Sequence, residues 1–291
     1  MNSLEALLEQ SKKLPSLPEI YIKVSDILEN ENSSAQQIGA TIQTDPSLSS
    51  RILKMVNSAY YGLPNQVSSI PQAVTLLGRK QLQQVLTGSV LAGMFSDIRH
   101  PNFSMREFWH HSIITAIIAR HLAMQNASVI DHEAFFTAGL LHDIGRLVIA
   151  KVVPESLVEI DVLMESQGMD IIQAEVEILG YSHAEVSEGL IQKWGLPRML
   201  MLCAARHHEI DHSGPFSIDS SIIYLANLLS RYAPPNDDDE AMKILNNIPS
   251  WQQTECTLQQ ISTALQLADE QGNEVMESLG MLDLEITDDS F

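Results

Sequence analysis

The sequence predicts an all-α protein, and two observations carry that prediction. Apolar residues recur at helical spacing along most of the chain, whereas runs that alternate apolar and polar residues between turn signals are scarce. Proline and glycine interrupt this pattern often enough to indicate about a dozen short helices, the length usual in globular proteins. We expect helix boundaries at Gly62, Pro71, Gly78, Pro101, Pro154, Gly168, Gly180, Pro197 and Pro234.

In the first part of the chain the clearest helix start lies in TDPSLSSRILKMVN. Asp45 is of a type that caps helices and Pro46 suits a first turn, so we expect a helix to begin there. Leu48 and Ile52 follow at helical spacing and predict a face that packs on the core. The segment FSDIRHPNFSMREF, residues 95–108, is polar and interrupted by proline. This segment separates a region without histidines from a region that contains nine of them.

Beyond that segment, SHAEVSEGLIQKWG predicts a helix with defined ends. Ser182 and Glu185 have the spacing of a capping box, and Gly195 follows the last apolar position. AGLLHDIGRLVIAKV, residues 138–152, is apolar apart from four residues and predicts a central buried helix. Near the C-terminus, TECTLQQISTALQLADEQGNEVMESL predicts one or two helices that close the bundle.

Composition excludes several classes of function. A net charge of −20 argues against nucleic-acid binding, which requires Lys and Arg to neutralise phosphates. We expect the acidic stretch NDDDE and the acidic tail LDLEITDDSF to be solvated surface. The N-terminus lacks a leader pattern and no apolar run approaches the ~18 residues of a membrane span, so we expect a cytoplasmic protein that does not bind membranes. Cys203 and Cys256 are widely spaced and predict buried apolar residues.

The predicted buried helix carries three groups that are costly to bury without partners: His142, Asp143 and Arg146. Nine of the ten histidines follow residues 95–108, in motifs that include REFWHHS, YSHAEV and ARHHEI. Imidazole and carboxylate groups gathered from several helices are typical of a site for Zn, Mn or Fe. Spacing alone leaves two interpretations open. One is a metal site, and the other is a buried polar network in which Asp143 pairs with Arg146 or with a histidine.

The motif LHDIGR, preceded by WHHS and followed by SHAEV and HHE, resembles the HD superfamily of metal-dependent phosphohydrolases. The segments LPSLPEIYIKVSDILEN, IQTDPSLSSRILKMVNSAYYG and VSSIPQAVTLLGRKQL are similar to the start of an HDOD domain, a signalling relative of those enzymes. The resemblance covers residues 14–231. It implies an N-terminal helical bundle (residues 1–98) packed on an HD-like helical bundle (99–233), followed by a helical extension with an acidic tail (234–291).

By resemblance to the HD-GYP cyclic-dinucleotide phosphodiesterases, seven positions match metal ligands: Glu107, His111, His142, Asp143, His183, His207 and His208. Three features depart from that pattern. Asn227 stands where the last acidic ligand is expected, Arg146 replaces the lysine after the His-Asp pair, and HHEIDHSGPF lacks a GYP element. The missing carboxylate should weaken the binding of hard ions most. The planar guanidinium of Arg146 suits phosphate or carboxylate but does not shuttle protons.

The resemblance and its departures favour a signalling module that acts by binding a protein partner. Its HD-like pocket is then vestigial, or holds a metal or a small phosphorylated or anionic ligand. The alternative is a metal-dependent phosphohydrolase acting on a nucleotide or cyclic dinucleotide, with Asp143 and Arg146 as the catalytic residues.

The expected cofactor is a transition metal, Fe, Mn, Zn or Ni, because imidazole-rich sites suit such ions better than Mg or Ca. No nucleotide cofactor is expected, since the sequence has no P-loop or Gly-rich dinucleotide loop. Metal binding should weaken as the pH falls through the histidine range, because each imidazole must be neutral to coordinate.

Overall fold

The computed structural model describes residues 3–9, 14–211, 213–249 and 251–282. Over these residues the regular structure is helical and contains no β-strand, which confirms the predicted fold class. One short 3₁₀ helix spans Trp251–Thr254. The α-helices are α1 (Leu4–Glu9), α2 (Glu19–Glu29), α3 (Ala35–Ile42), α4 (Pro46–Val56), α5 (Ile70–Met94), α6 (Met105–Gln125), α7 (Ala134–Leu141), α8 (Ile144–Val152), α9 (Ser156–Gln167), α10 (Ile171–Leu179), α11 (His183–Lys193), α12 (Arg198–Arg206), α13 (Ser217–Leu229), α14 (Asp238–Leu245) and α15 (Leu258–Ser278).

The helix ends that depend on capping chemistry agree with the sequence. The Asp45 carboxylate accepts a hydrogen bond from the Leu48 amide at 3.0 Å, and Pro46 begins α4. Ser182 and Glu185 form the predicted capping box at the start of α11. Gly180 ends α10 with a φ of 84°, a conformation open to glycine at no steric cost. Local side-chain chemistry therefore sets these boundaries.

Three helices are longer than the sequence predicts, namely α5 with 25 residues and α6 and α15 with 21 each. Pro71 lies in the first turn of α5 and so begins a helix, because a proline there leaves no hydrogen bond unmade. Gly78, with φ 80° and ψ 172°, kinks α5 where a boundary was expected. Both residues were predicted to mark helix boundaries. Pro71 instead lies in the first turn of α5, and Gly78 lies at a kink within it.

The prediction of one helix over residues 138–152 is wrong, although the segment is buried as expected. The chain leaves helical geometry at Asp143, whose φ and ψ are −99° and 10°, and this break separates α7 from α8. In a continuous helix the Gly145 amide would donate to the Leu141 carbonyl. It donates instead to the Ser187 hydroxyl on α11, at 2.8 Å. A hydrogen bond between helices thus replaces one within a helix at the His-Asp pair.

Helix α6 lies at the centre of the second half and packs against α7, α13 and α15. Its contact with α7 is close, since a Cβ added at Gly139 would lie 2.5 Å from the Ala116 Cα. Helix α11 packs against both α8 and α12. These contacts bring the ends of α7, α11 and α12 together beside α6.

Arg79 and Lys80 make internal contacts. The Arg79 guanidinium donates to backbone carbonyls at the C-terminal end of α2, including Leu28 at 3.0 Å and Asn30 at 2.7 Å. The Lys80 ammonium pairs with Asp131 at 2.9 Å. Arg79 therefore ties α5 to the end of α2, whereas the exposed Lys80 pair contributes little to stability.

Helices α14 and α15 follow residue 234, and α15 packs on α6 with Ile261 and Leu265 buried. The acidic stretch 236–240 begins α14, where the Asp237 carboxylate accepts from the Glu240 amide at 2.8 Å. Residues 283–291 of the predicted acidic tail lie outside the described residues. The proposed division of the chain at residues 98 and 233 stays a prediction.

Cys203 and Cys256 are free and buried, as the sequence predicts. In the part of the chain that the structure describes, no helix combines the length and the apolar content needed to cross a membrane.

Candidate metal centre

Six of the seven candidate ligand residues converge in space. Their ligand atoms form two groups, within each of which all atoms lie within 4.8 Å of one another, and Asp143 belongs to both. One group is Asp143, His183, His207 and His208, and the other is His111, His142 and Asp143. The break between α7 and α8 places the His-Asp pair between these groups.

Backbone contacts fix the tautomers of two buried imidazoles. The Nδ1 atoms of His142 and His207 each lie 2.7 Å from a backbone carbonyl oxygen, that of Gly139 and that of Ala204. A carbonyl oxygen only accepts hydrogen bonds, so each Nδ1 carries the proton. In the neutral rings the Nε2 atoms therefore present lone pairs to the centre.

The tautomer of His111 is fixed through a hydroxyl. Ser230 uses its single proton to donate to the Asn227 carbonyl at 2.7 Å, so its oxygen accepts from the His111 Nδ1, 2.9 Å away. The His111 Nε2 then faces the His142 Nε2 at 3.2 Å. Two lone pairs at this separation require a cation or a proton between or beside them.

The same arrangement recurs around His183. Its Nε2 lies 3.2 Å from the His207 Nε2 and 3.0 Å from the His208 Nε2. Oδ1 of Asp143 lies 3.1 Å from His183 Nε2 and 3.0 Å from His207 Nε2, and while these rings are neutral it has no hydrogen-bond donor among the described residues. A buried carboxylate oxygen without a donor, facing unprotonated nitrogens, fits a cation. The residues present therefore suit a transition metal held by imidazole and one carboxylate.

The other carboxylate oxygen of Asp143 is bound by Arg146. Nη1 of Arg146 lies 3.3 Å from Oδ2, and its guanidinium carbon lies 5.9 Å from the centre of the Phe103 ring. The Arg146 side chain is 35% exposed, whereas that of Asp143 is 6% exposed. The guanidinium group of Arg146 thus contacts both the ligand cluster and solvent. The sequence leaves open either a metal site or a buried polar network. The structure contains the Asp143–Arg146 pair expected of the network and also the cluster of candidate ligands expected of the metal site.

Burial and charge set the pKa values in this centre. Burial lowers the pKa of His111 to about 4 and that of His208 to about 2. Burial opposes protonation of His183 as well, but the carboxylates of Glu175 and Asp143 raise its pKa to about 9. Burial would raise the pKa of Asp143, but the facing imidazoles of His142 and His183 hold it well below its ordinary value. Without a cation, one proton on His183 supplies the positive charge that the centre needs.

Glu175 completes the surroundings of His183 and is absent from the set that the sequence predicts. Oε2 of this buried side chain, which is 4% exposed, accepts from both Nδ1 and the backbone amide of His183, each at 2.7 Å. The signal was available, since Glu175 lies on the apolar stripe of α10 with Ile171, Ile172 and Leu179. An acid on an apolar stripe indicates a buried partner.

Two other positions where the family pattern has ligands do not contribute one to either group. Asn227 is 1% exposed and its side-chain amide donates to the His207 carbonyl at 3.3 Å. It positions the segment that carries His207. Glu107 is exposed on the first turn of α6 and belongs to neither ligand group.

Comparisons with known proteins identify the family and the fold. A profile of the HDOD domain matches residues 14–210. A crystal structure of a candidate phosphohydrolase from Shewanella amazonensis SB2B superposes with a TM-score of 0.78 at 28% identity, covering 95% of this chain and 97% of that one. An HDOD domain protein of unknown function from Geobacter sulfurreducens superposes with a TM-score of 0.71 at 22% identity, covering 97% and 98%.

A longer relative is an uncharacterized protein of Treponema pallidum (strain Nichols), 25% identical over 258 residues. The alignment covers 87% of this chain but spans only half of that protein.

The fold and the buried His-Asp cluster together define an all-helical protein related to the HD superfamily. Within that class, the match over most of the chain shows that it belongs to the HDOD family. The family expected from the sequence is therefore confirmed.

The contact between Glu175 and His183 makes a first prediction. Glu175→Gln should weaken metal affinity by roughly 10- to 100-fold, because a carboxylate that accepts from a ligand imidazole orients the ring and raises its basicity. Glu177→Gln is the matched control, since Glu177 is exposed on the same helix. Isothermal titration with Mn²⁺ or Zn²⁺ measures both. A Glu175→Gln affinity within twofold of the unsubstituted protein would show that Glu175 has no positioning role.

Proposed function

We propose that this chain is a cytoplasmic HDOD signalling module that holds a transition-metal ion and acts by binding a protein partner, without turnover of a substrate. The observation that carries the metal is the convergence of imidazole Nε2 atoms on an Asp143 oxygen that has no donor while the rings are neutral. The residues that would hold the ion are His111, His142, Asp143, His183, His207 and His208. Iron, manganese, zinc and nickel suit this donor set.

Asn227 supports binding over hydrolysis. An acidic side chain at this position would add a negative charge to help hold a second ion. The amide present instead donates to the His207 carbonyl and contributes no charge. With Glu107 also outside both groups, Asp143 is the one carboxylate in the ligand groups found among the described residues. A site with a single carboxylate binds transition-metal ions chiefly through imidazole nitrogen and has little charge with which to neutralise two hard ions.

A second function, metal-dependent phosphohydrolysis, is favoured by Arg146 and by the name of the Shewanella amazonensis structure. A bound ion supplies Lewis acidity at such a centre. Arg146, partly exposed beside Asp143, has the planar donor geometry that binds a phosphate and stabilises negative charge developing on it. On this hypothesis the ligand is a nucleotide or a cyclic dinucleotide.

One set of measurements separates the two functions. Elemental analysis of the purified protein gives the metal content, and incubation with Mn²⁺ or Fe²⁺ and a panel of nucleotides and cyclic dinucleotides gives turnover. A stoichiometric metal without turnover supports the binding module. Turnover that disappears in Arg146→Met, with the metal retained, would replace it with the phosphohydrolase.

The pKa of His183 makes a further prediction about pH. Because its folded pKa of about 9 exceeds neutrality, the metal-free protein carries a proton there that an incoming cation must displace. The neighbours His111, His142 and His208 have lowered pKa values and stay neutral at pH 6–8 (about 4 for His111 and about 2 for His208). Metal affinity should therefore fall by about tenfold for each unit that the pH drops below 9.

Calorimetry at pH 6, 7 and 8 in buffers of different ionisation enthalpy checks this pH dependence. The expected result is the release of about one proton per ion. An affinity that does not change between pH 6 and 8 would contradict the assignment of that proton to His183.

A further inference from the structure

Helix α9 has apolar residues on two sides. Ile160 is 4% exposed and faces the protein, whereas Val158 and Val162, four residues apart, are 47% and 54% exposed. Exposed apolar residues that occur singly are ordinary, whereas two on one helix face form a stripe that a partner can cover. The helices that pack most closely on α9 are α8 and α10, and Asn102 donates to Asp161 at 3.0 Å. Among the described residues, nothing accounts for the two valines.

Acidic side chains border these valines. At 100° per residue, Glu155, Val158, Glu159, Val162 and Glu165 lie within an arc of about 120° on the helix surface. All five are exposed. We call this surface the valine face, with Val158 and Val162 at its centre and glutamates on both edges.

The charge around the valine face is one-sided. Residues 152–192 contain nine acidic residues and no lysine or arginine. Ordinary surface helices carry charges of both signs. Residues 152–192 supply no cation to neutralise the glutamates, so an occupant that brings positive charge complements them.

Charge complementarity selects the occupant. A second copy of the valine face would place glutamate against glutamate, and an anionic lipid surface or a nucleic acid would also be repelled. A helix with a narrow apolar stripe and lysine or arginine on its edges satisfies both the valines and the glutamates.

We propose that the valine face of α9 is the docking surface for a basic amphipathic helix of a partner protein. This inference rests on the proposed signalling function, for which it names the kind of partner. The hairpin formed by α9 and α10 also carries Glu175, so the docking surface belongs to the same structural unit as the carboxylate that holds His183.

The test uses the full chain and two fluorescent 18-residue peptides made only of leucine and lysine. In one the leucines form a single helical stripe, and in the other the same residues are scrambled. The striped peptide should bind at least about tenfold more tightly than the scrambled one at 150 mM salt, measured by fluorescence anisotropy, since only its apolar and basic groups are in register with the valine face. The double variant V158S/V162S should abolish that difference.

The matched control is I22S/L76S, which removes two exposed apolar side chains, 49% and 52% exposed, from α2 and α5. It should keep the full difference between the peptides. Equal binding of both peptides, an unchanged difference in V158S/V162S, or an equal loss in I22S/L76S would overturn the docking surface. Metal content should be the same in all variants, so absence of metal from the unsubstituted protein would count against the proposed function and not against this surface.

Discussion

Asp143→Asn is expected to abolish metal binding. The substitution keeps the volume of the side chain but removes the one carboxylate that both ligand groups share, and it places an amide where a cation should lie. An ion at a hundred times its dissociation constant stabilises a protein by about 2.7 kcal/mol. For a chain of this size that corresponds to a rise in melting temperature of about 4–5 °C. The unsubstituted protein should show this rise with Mn²⁺ or Zn²⁺, and the variant should not.

The matched control is Asp97→Asn. Asp97 is an exposed carboxylate that pairs with Lys151 at 2.5 Å, so the control removes the same charge from the surface. It should bind metal as the unsubstituted protein does. Elemental analysis and thermal unfolding of the unsubstituted protein and the two variants measure metal content and its effect on stability. A full complement of metal in Asp143→Asn would refute the proposed centre.

Much of the fold could be predicted because local chemistry determines it. The start of α4 at Asp45 and Pro46, and that of α11 at Ser182, depend on side chains within four residues of each other. The break between α7 and α8 could not be predicted in this way. It depends on the Ser187 hydroxyl, which is 42 residues away from Gly145 in the chain. Periodicity reports which face is buried, and it does not report a hydrogen bond between helices.

The same distinction between local sequence and distant contacts applies to the candidate site. The imidazoles and Asp143 stand in short motifs whose order resembles a known family, so they could be named before the structure. Ser230 and Glu175 stand in no such motif, and their roles follow from what they touch. Glu107 is a different case, because helical spacing places it on the face of His111 while its side chain is exposed and in neither ligand group, so its role as a ligand stays a prediction. Family resemblance identifies the candidate ligands, whereas the residues that hydrogen-bond to those ligands can be identified only from the tertiary structure.

Gly145→Ala is expected to be the most destabilising single substitution we consider. A Cβ at this position would overlap the carbonyl oxygen of His183 and lie 2.9 Å from both the amide nitrogen and the hydroxyl of Ser187. Two of these three atoms are backbone, so they cannot move without shifting α11 as a whole. Overpacking of this kind costs about 3 kcal/mol or more.

The same shift would move His183 away from Asp143, because the two residues lie on the helices that would be forced apart. Gly145→Ala should therefore lose metal affinity by at least about tenfold as well as stability. Gly93→Ala is the matched control, since a Cβ there meets nothing within 4 Å and the residue is exposed near the end of α5. It should leave metal binding unchanged and raise stability by up to about 1 kcal/mol. Urea unfolding and metal titration of both variants measure these effects, and a Gly145→Ala protein as stable as Gly93→Ala would show that α8 and α11 are not packed as closely as described.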